Sequence, residues 1–101
     1  MLKAFVEEKD GYMVGTVEGR LDTPATPIAE KGLTPLFVCD DKDIIIDCTD
    51  MNYIASSGLR LFLDILKNAK AHGHHVYIKN LSDNIREAFT LTGFIDLFEY
   101  M

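Results

Sequence analysis

Ile44-Ile45-Ile46-Asp47-Cys48, followed two residues later by Met51-Asn52-Tyr53-Ile54-Ala55-Ser56-Ser57-Gly58-Leu59-Arg60, is the stretch from which the fold of this chain is read. The first run is short, apolar and β-branched, which suits a strand covered on both faces. Beyond the second, apolar residues at 59, 62, 63, 66 and 69 gather on one face of a helix running from about 57 to 71. Leu61 and Ile65 stand off that stripe at helical spacing from one another, either beneath a neighbouring element or as an apolar docking patch. A buried strand therefore hands over to the main helix, with Ser56 and Ser57 at its start. There the first N–H groups have no intrahelical partner and the peptide dipoles leave a partial positive charge.

That position gives the serines two readings. Either one of them is an N-cap, accepting from a free N–H two or three residues on, or one is a phosphate acceptor, because a helix start stabilises an added dianion. Position 59 is Leu and position 60 is Arg, so no capping box decides between them. A hydrolase nucleophile elbow is excluded, since Gly-x-Ser-x-Gly would need glycine where Ile54 stands.

Outward from this centre, residues 2 to 9 alternate loosely and Asp10-Gly11 marks a turn into Tyr12-Met13-Val14-Gly15-Thr16-Val17-Glu18-Gly19, an opening β-hairpin. Gly15 in that strand marks the close approach of another element. Asp22 or Thr23 before Pro24 starts a helix spanning about 25 to 38, with an irregularity near Pro35. Asp40-Asp41-Lys42-Asp43 reads as a solvated turn rather than a metal site. Past the central helix, Gly73 is a stop and 74 to 80 a strand. Ser82 or Asp83 caps a helix ended by Gly93, and Ile95-Asp96-Leu97-Phe98-Glu99-Tyr100 closes as a final strand. His72, His74 and His75 have no acidic or thiol ligand at a recognised metal spacing, and a histidine in a last turn complements the helix dipole.

This alternation predicts a single α/β domain over residues 1–101: a mixed sheet, made of an N-terminal hairpin and parallel strands, with helices packed on it. Asp22, the segment 49 to 58 and the loop after Asn80 then share one rim, at the carboxyl ends of the strands. A net charge of −6 on 101 residues argues against nucleic acid and anionic membranes as partners. The early acidic residues Glu7 and Glu8 do not suit a signal peptide, and no apolar run has the length of a membrane span, so the expected compartment is the cytoplasm. Cys39 and Cys48 read as reduced core residues. No cofactor and no metal is expected.

Gly19-Arg20-Leu21-Asp22, Ile44-Ile45-Ile46-Asp47-Cys48-Thr49-Asp50-Met51, Tyr53-Ile54-Ala55-Ser56-Ser57-Gly58-Leu59-Arg60 and Phe89-Thr90-Leu91-Thr92-Gly93-Phe94 together resemble the STAS domain family, specifically the bacterial anti-sigma factor antagonists. The resemblance covers essentially the whole chain. It implies a non-catalytic binding module that captures an anti-sigma factor, itself a serine kinase, and so frees the sigma factor. The kinase phosphorylates the first serine of Ser-Ser-Gly, here Ser56, and a metal-dependent phosphatase of the PP2C type reverses the modification. Asp22 matches a family aspartate near the acceptor. The expected partner-binding residues are Asp22, Thr23, Ala55, Ser57, Gly58 and Arg60. Ala55 departs from the pattern, because phosphorylated members often carry Asp there. Two other readings stand beside this one: an unphosphorylated scaffold subunit of a signalling assembly, and a small-ligand or anion-binding module on the same rim. An enzyme is not expected, since no general base pairs with the serine.

Overall fold

The computed structural model describes all of residues 1–101. In chain order the elements are β1 (Lys3–Lys9), β2 (Tyr12–Leu21), α1 (Thr26–Gly32), α2 (Thr34–Phe37), β3 (Ile44–Asp47), β4 (Met51–Ile54), α3 (Ser56–Ala71), β5 (Val76–Lys79), α4 (Asp83–Leu91), a 3-10 turn (Phe94–Asp96) and β6 (Glu99–Tyr100). Asp10 and Gly11 both take positive φ, 53° and 85°, which matches the twist of the hairpin they close. The sheet runs β1-β2-β3-β5-β6, antiparallel in the hairpin and parallel beyond it.

Register explains where the core lies. Ile44 stands between Met13 and Val76, and Ile46 between Gly15 and Ile78, so alternate residues of three parallel strands form one apolar surface. All four helices add buried residues to the same cluster, among them Ala29, Leu36, Phe62, Ile65, Ile85 and Phe89. A Cβ on Gly15 would come within 2.5 Å of Leu36 and 3.0 Å of Leu33, so the glycine admits the α1–α2 segment against β2, as its place in the strand suggested.

Four expectations are corrected. Ile45, flanked by Val14 and Tyr77, belongs to the opposite sheet face and lies outside the core cluster, so β3 is covered by helices on one face only. The segment 49 to 58 is not all loop: Met51–Ile54 forms β4, paired with the tail of β2 beyond an irregularity at Gly19/Arg20. The expected helix from 25 to 38 is two helices parted at Leu33, and it starts later than Asp22 or Thr23. Pro27 and Pro35 each sit in a first turn, where a missing N–H costs nothing. The closing segment begins as a 3-10 turn after Gly93 takes φ 78°, and only Glu99–Tyr100 is strand. Phe98 is instead drawn into the core against Phe89, with ring centroids 5.9 Å apart. Of the two readings of Leu61 and Ile65, burial beneath neighbouring elements holds: both belong to the buried face of α3, while Leu63 of the expected stripe is only partly buried.

The two cysteines are free and buried, and burial pushes the Cys48 thiol up to about 12. No helix is long and apolar enough to cross a membrane. The turn before β3 is held by charge: the Lys42 ammonium lies 3.1 Å from Glu8 and 3.0 Å from Asp41. Asp43 Oδ1 accepts from the His75 backbone N–H and meets His74 Nδ1, both at 3.0 Å. The His75 N–H first, and then the His74 ring, hold the Asp43 carboxyl below its usual range.

A carboxylate depressed in the folded state contributes stability above its unfolded pKa, and that contribution is lost as pH falls through the folded value. Asp43→Asn keeps an acceptor but does not titrate. Urea midpoints followed from about pH 6 to about pH 3 should therefore fall less steeply in the variant than in the parent chain, with the difference opening below about pH 4.

Candidate functional site

The site is built where β2 and β4 end and α3 begins. The Ala55 N–H donates to the Leu21 carbonyl at 2.8 Å, which carries the β2–β4 pairing one residue past the strand. Ala55 itself is the N-cap of α3, extended at φ −89° and ψ 168°, and supplies no side-chain cap. Ser56 and Ser57 thus occupy the first two helical positions, and neither is the N-cap. Gly58 is buried beneath them. A Cβ there would lie 2.7 Å from both Cγ and Cδ2 of Leu21, which is fully buried. Its role is to seat the helix start, and it has no side chain to offer a partner.

The two serines differ in their surroundings. Ser57 Oγ lies 2.8 Å from Thr26 Oγ1, and Thr26 Oγ1 donates to the Asp22 carbonyl at 3.0 Å. A hydroxyl carries one proton, so Thr26 acts as acceptor toward Ser57, and a chain runs Ser57→Thr26→Asp22. Ser56 is exposed and has no such engagement. Asp22 is anchored on both oxygens: Oδ1 accepts from the Ala25 N–H at 3.0 Å, and Oδ2 lies 3.4 Å from Arg20 Nε. The Arg20 guanidinium sits 3.8 Å from the Tyr53 ring centroid, stacked over an exposed aromatic of β4.

Between α1 and α3 opens a groove of about 470 Å³, lined by Thr23, Thr26, Glu30, Ser56, Ser57, Arg60, Leu61 and Asp64. Of the residues expected at the site, Thr23, Ser56, Ser57 and Arg60 line this groove, whereas Asp22 lines a separate hollow with Arg20, Pro24, Ala25 and Ile28, and Ala55 follows β4 as the cap of α3. Thr26, Glu30 and Asp64 were missed. Asp64 continues the stripe of Ser56 and Arg60 at four-residue steps and was legible on that ground. The α1 residues needed the tertiary fold. The rim extends as expected toward the loop after β5: Asn80 Nδ2 donates to Thr49 Oγ1 at 2.8 Å, and Asn84 Nδ2 to the Asn52 carbonyl at 3.3 Å.

None of the histidines reaches Ser56. His72 is the C-cap of α3, some 24 Å away along a 16-residue helix, and its Nδ1 lies 2.8 Å from the Asn68 carbonyl oxygen at that end. His74 faces Asp43, and His75 Nδ1 lies 2.6 Å from Glu99. These carboxylates stand 31 and 24 residues away in sequence, a distance that hides them from any local pattern.

An aspartate in place of Ala55 would fall on the cap position itself, where the backbone is already extended as a capping residue requires. Ala55→Asp should raise the unfolding free energy by about 1 kcal/mol, read from the urea midpoint at constant m. An unchanged or lowered midpoint would mean that the N–H groups at the helix start are not what an aspartate meets there.

Residues 3–100 match the sequence profile of the STAS domain. The chain is 34% identical over 89 residues to the anti-sigma-B factor antagonist of Staphylococcus aureus, covering 88% of this chain and 82% of that protein. A solved anti-sigma factor antagonist from Mycobacterium paratuberculosis superposes with a TM-score of 0.82 at 23% identity, over 99% of this chain and 85% of that one. The phosphorylated form of SpoIIAA, a Bacillus cell fate determinant, gives 0.72 at 19% identity, over 98% and 91%.

Proposed function

The chain belongs to the STAS domain family, and we propose that it acts there as an anti-sigma factor antagonist, binding an anti-sigma serine kinase through the rim of Asp22, Thr23, Ser56, Ser57 and Arg60. Phosphorylation of Ser56 is the off switch, and a phosphatase of the PP2C type restores the binding form. The observation that carries this reading is the asymmetry of the serines. Ser56 is exposed with a free hydroxyl at the mouth of the groove, whereas Ser57 is engaged with Thr26. The names of the relatives support the class of function.

The physics of the switch follows from position. A phosphoserine adds between one and two negative charges and three acceptor oxygens. At the mouth of a groove bordered by Glu30 and Asp64, that charge changes both the space left for a partner and the cost of desolvating the surface. The change is local. Ser56 engages no other element, so it can be modified while the hydroxyl chain Ser57→Thr26→Asp22 stays in place.

Incubation with ATP and an anti-sigma serine kinase from the same host should add one phosphate, mapped to Ser56 by intact mass and peptide analysis. Ser56→Ala should remain unmodified and bind the kinase as the parent chain does, while Ser56→Asp should bind about tenfold or more weakly, a difference of about 1.4 kcal/mol. Equal affinity for all three forms would refute the switch. Modification at Ser57 instead would refute the assignment of the acceptor.

A further inference from the structure

We propose that Arg60 is the internal partner of the phosphate on Ser56, so that phosphorylation withdraws a guanidinium from the groove as well as adding charge to it. The proposal rests on the reading of Ser56 as the acceptor and goes beyond it by naming the residue that responds.

The chain has three arginines, and the structure distinguishes them. Arg20 is held by Asp22 and stacked on Tyr53, and Arg86 lies over Tyr100 with its guanidinium 5.4 Å from the ring centroid. Arg60 is exposed, stacks on no ring and forms no ion pair, although Asp64 stands one turn further along α3 and Glu30 lines the opposite wall. It is the uncommitted cation of the groove.

Its position relative to Ser56 is set by the helix. Residues four apart in a helix carry their Cβ atoms about 5–6 Å apart, within reach of an arginine side chain, and the order acid first, base second is the favourable one. Ser56 and Arg60 have that spacing and order, and both line the same groove. A phosphate offers the guanidinium fork two oxygens and a greater charge than the Asp64 or Glu30 carboxylate, so Arg60 turns toward position 56 once the phosphate is there. The unmodified rim presents a hydroxyl and a free guanidinium. The modified rim presents a closed phosphate–guanidinium pair.

The test uses the full chain with phosphoserine installed at position 56 during translation, so no kinase is needed. The phosphate is titrated by ³¹P NMR around its ordinary second pKa of about 6. Withdrawing a cation that pairs with the dianion must raise the midpoint, so Arg60→Gln should titrate about 0.3 pH unit or more above the parent, while Arg20→Gln should leave the midpoint where it is. Equal midpoints for the parent and Arg60→Gln would overturn the proposal, as would a shift that follows Arg20→Gln instead. Failure here would leave Ser56 open as a kinase substrate, and failure of a kinase to modify Ser56 would leave the titration unaffected.

Discussion

The contact on which the site depends is the seat of the α3 first turn on the ends of β2 and β4. Ala55 N–H bonds to the Leu21 carbonyl, and Gly58 rests against the Leu21 side chain at a distance that no Cβ could share. The bond fixes where the helix begins and the glycine fixes how deep it sits. Successive residues in a helix are turned by about 100°, so once Gly58 faces the sheet the two residues before it must face different ways. Ser57 turns toward α1 and finds Thr26, and Ser56 turns outward. Two residues of identical chemistry thereby become unlike.

The same seat explains what the sequence showed of the site and what it concealed. A serine pair before an amphipathic run is rightly read as a helix start, and the rim was placed correctly from the alternation of elements. The assignment of the cap failed by one residue, because the β2–β4 pairing extends through Ala55 and brings the helical turn forward to Ser56. Capping preference is a local tendency worth about 1 kcal/mol, and burial at Gly58, Leu59 and Leu61 on the first turns outweighs it.

Elsewhere, legibility followed burial. β3 and β5 were recognisable because Ile44, Ile46, Val76 and Ile78 are in the core, and Gly15 because its backbone is packed against leucines. β4 was not. Met51-Asn52-Tyr53-Ile54 is buried only at its two ends, lacks the alternation of a half-covered strand, and pairs with the last residues of a strand already occupied by β3. The closing segment misled in the opposite way. Its apolar residues suggested six residues of strand, but Phe98 is held by Phe89 and the Tyr100 hydroxyl donates back to the Ile95 carbonyl at 2.6 Å, so the chain curls before it pairs. In both places tertiary contact overrides a short pattern.

The two ends of α3 differ in how far their polar groups are matched. At its C-terminal end the polar groups are matched to one another: His72 with the Asn68 carbonyl, His74 with Asp43, His75 with Glu99. At its N-terminal end the cap has no side-chain acceptor, Ser56 is open, and Arg60 and Asp64 continue the same exposed stripe with no ion pair between them. Leaving polar groups unmatched on a surface costs little, because water solvates them. It also leaves them available, and a phosphate or a partner at that end gains its contacts without first breaking any that the fold depends on. An aspartate at position 55 would sit at the cap, adding stability to the helix start and a fixed negative charge beside Ser56. With Ala55 there, the cap carries no charge of its own, and a phosphate on Ser56 would bring the first negative charge to the opening turn of α3.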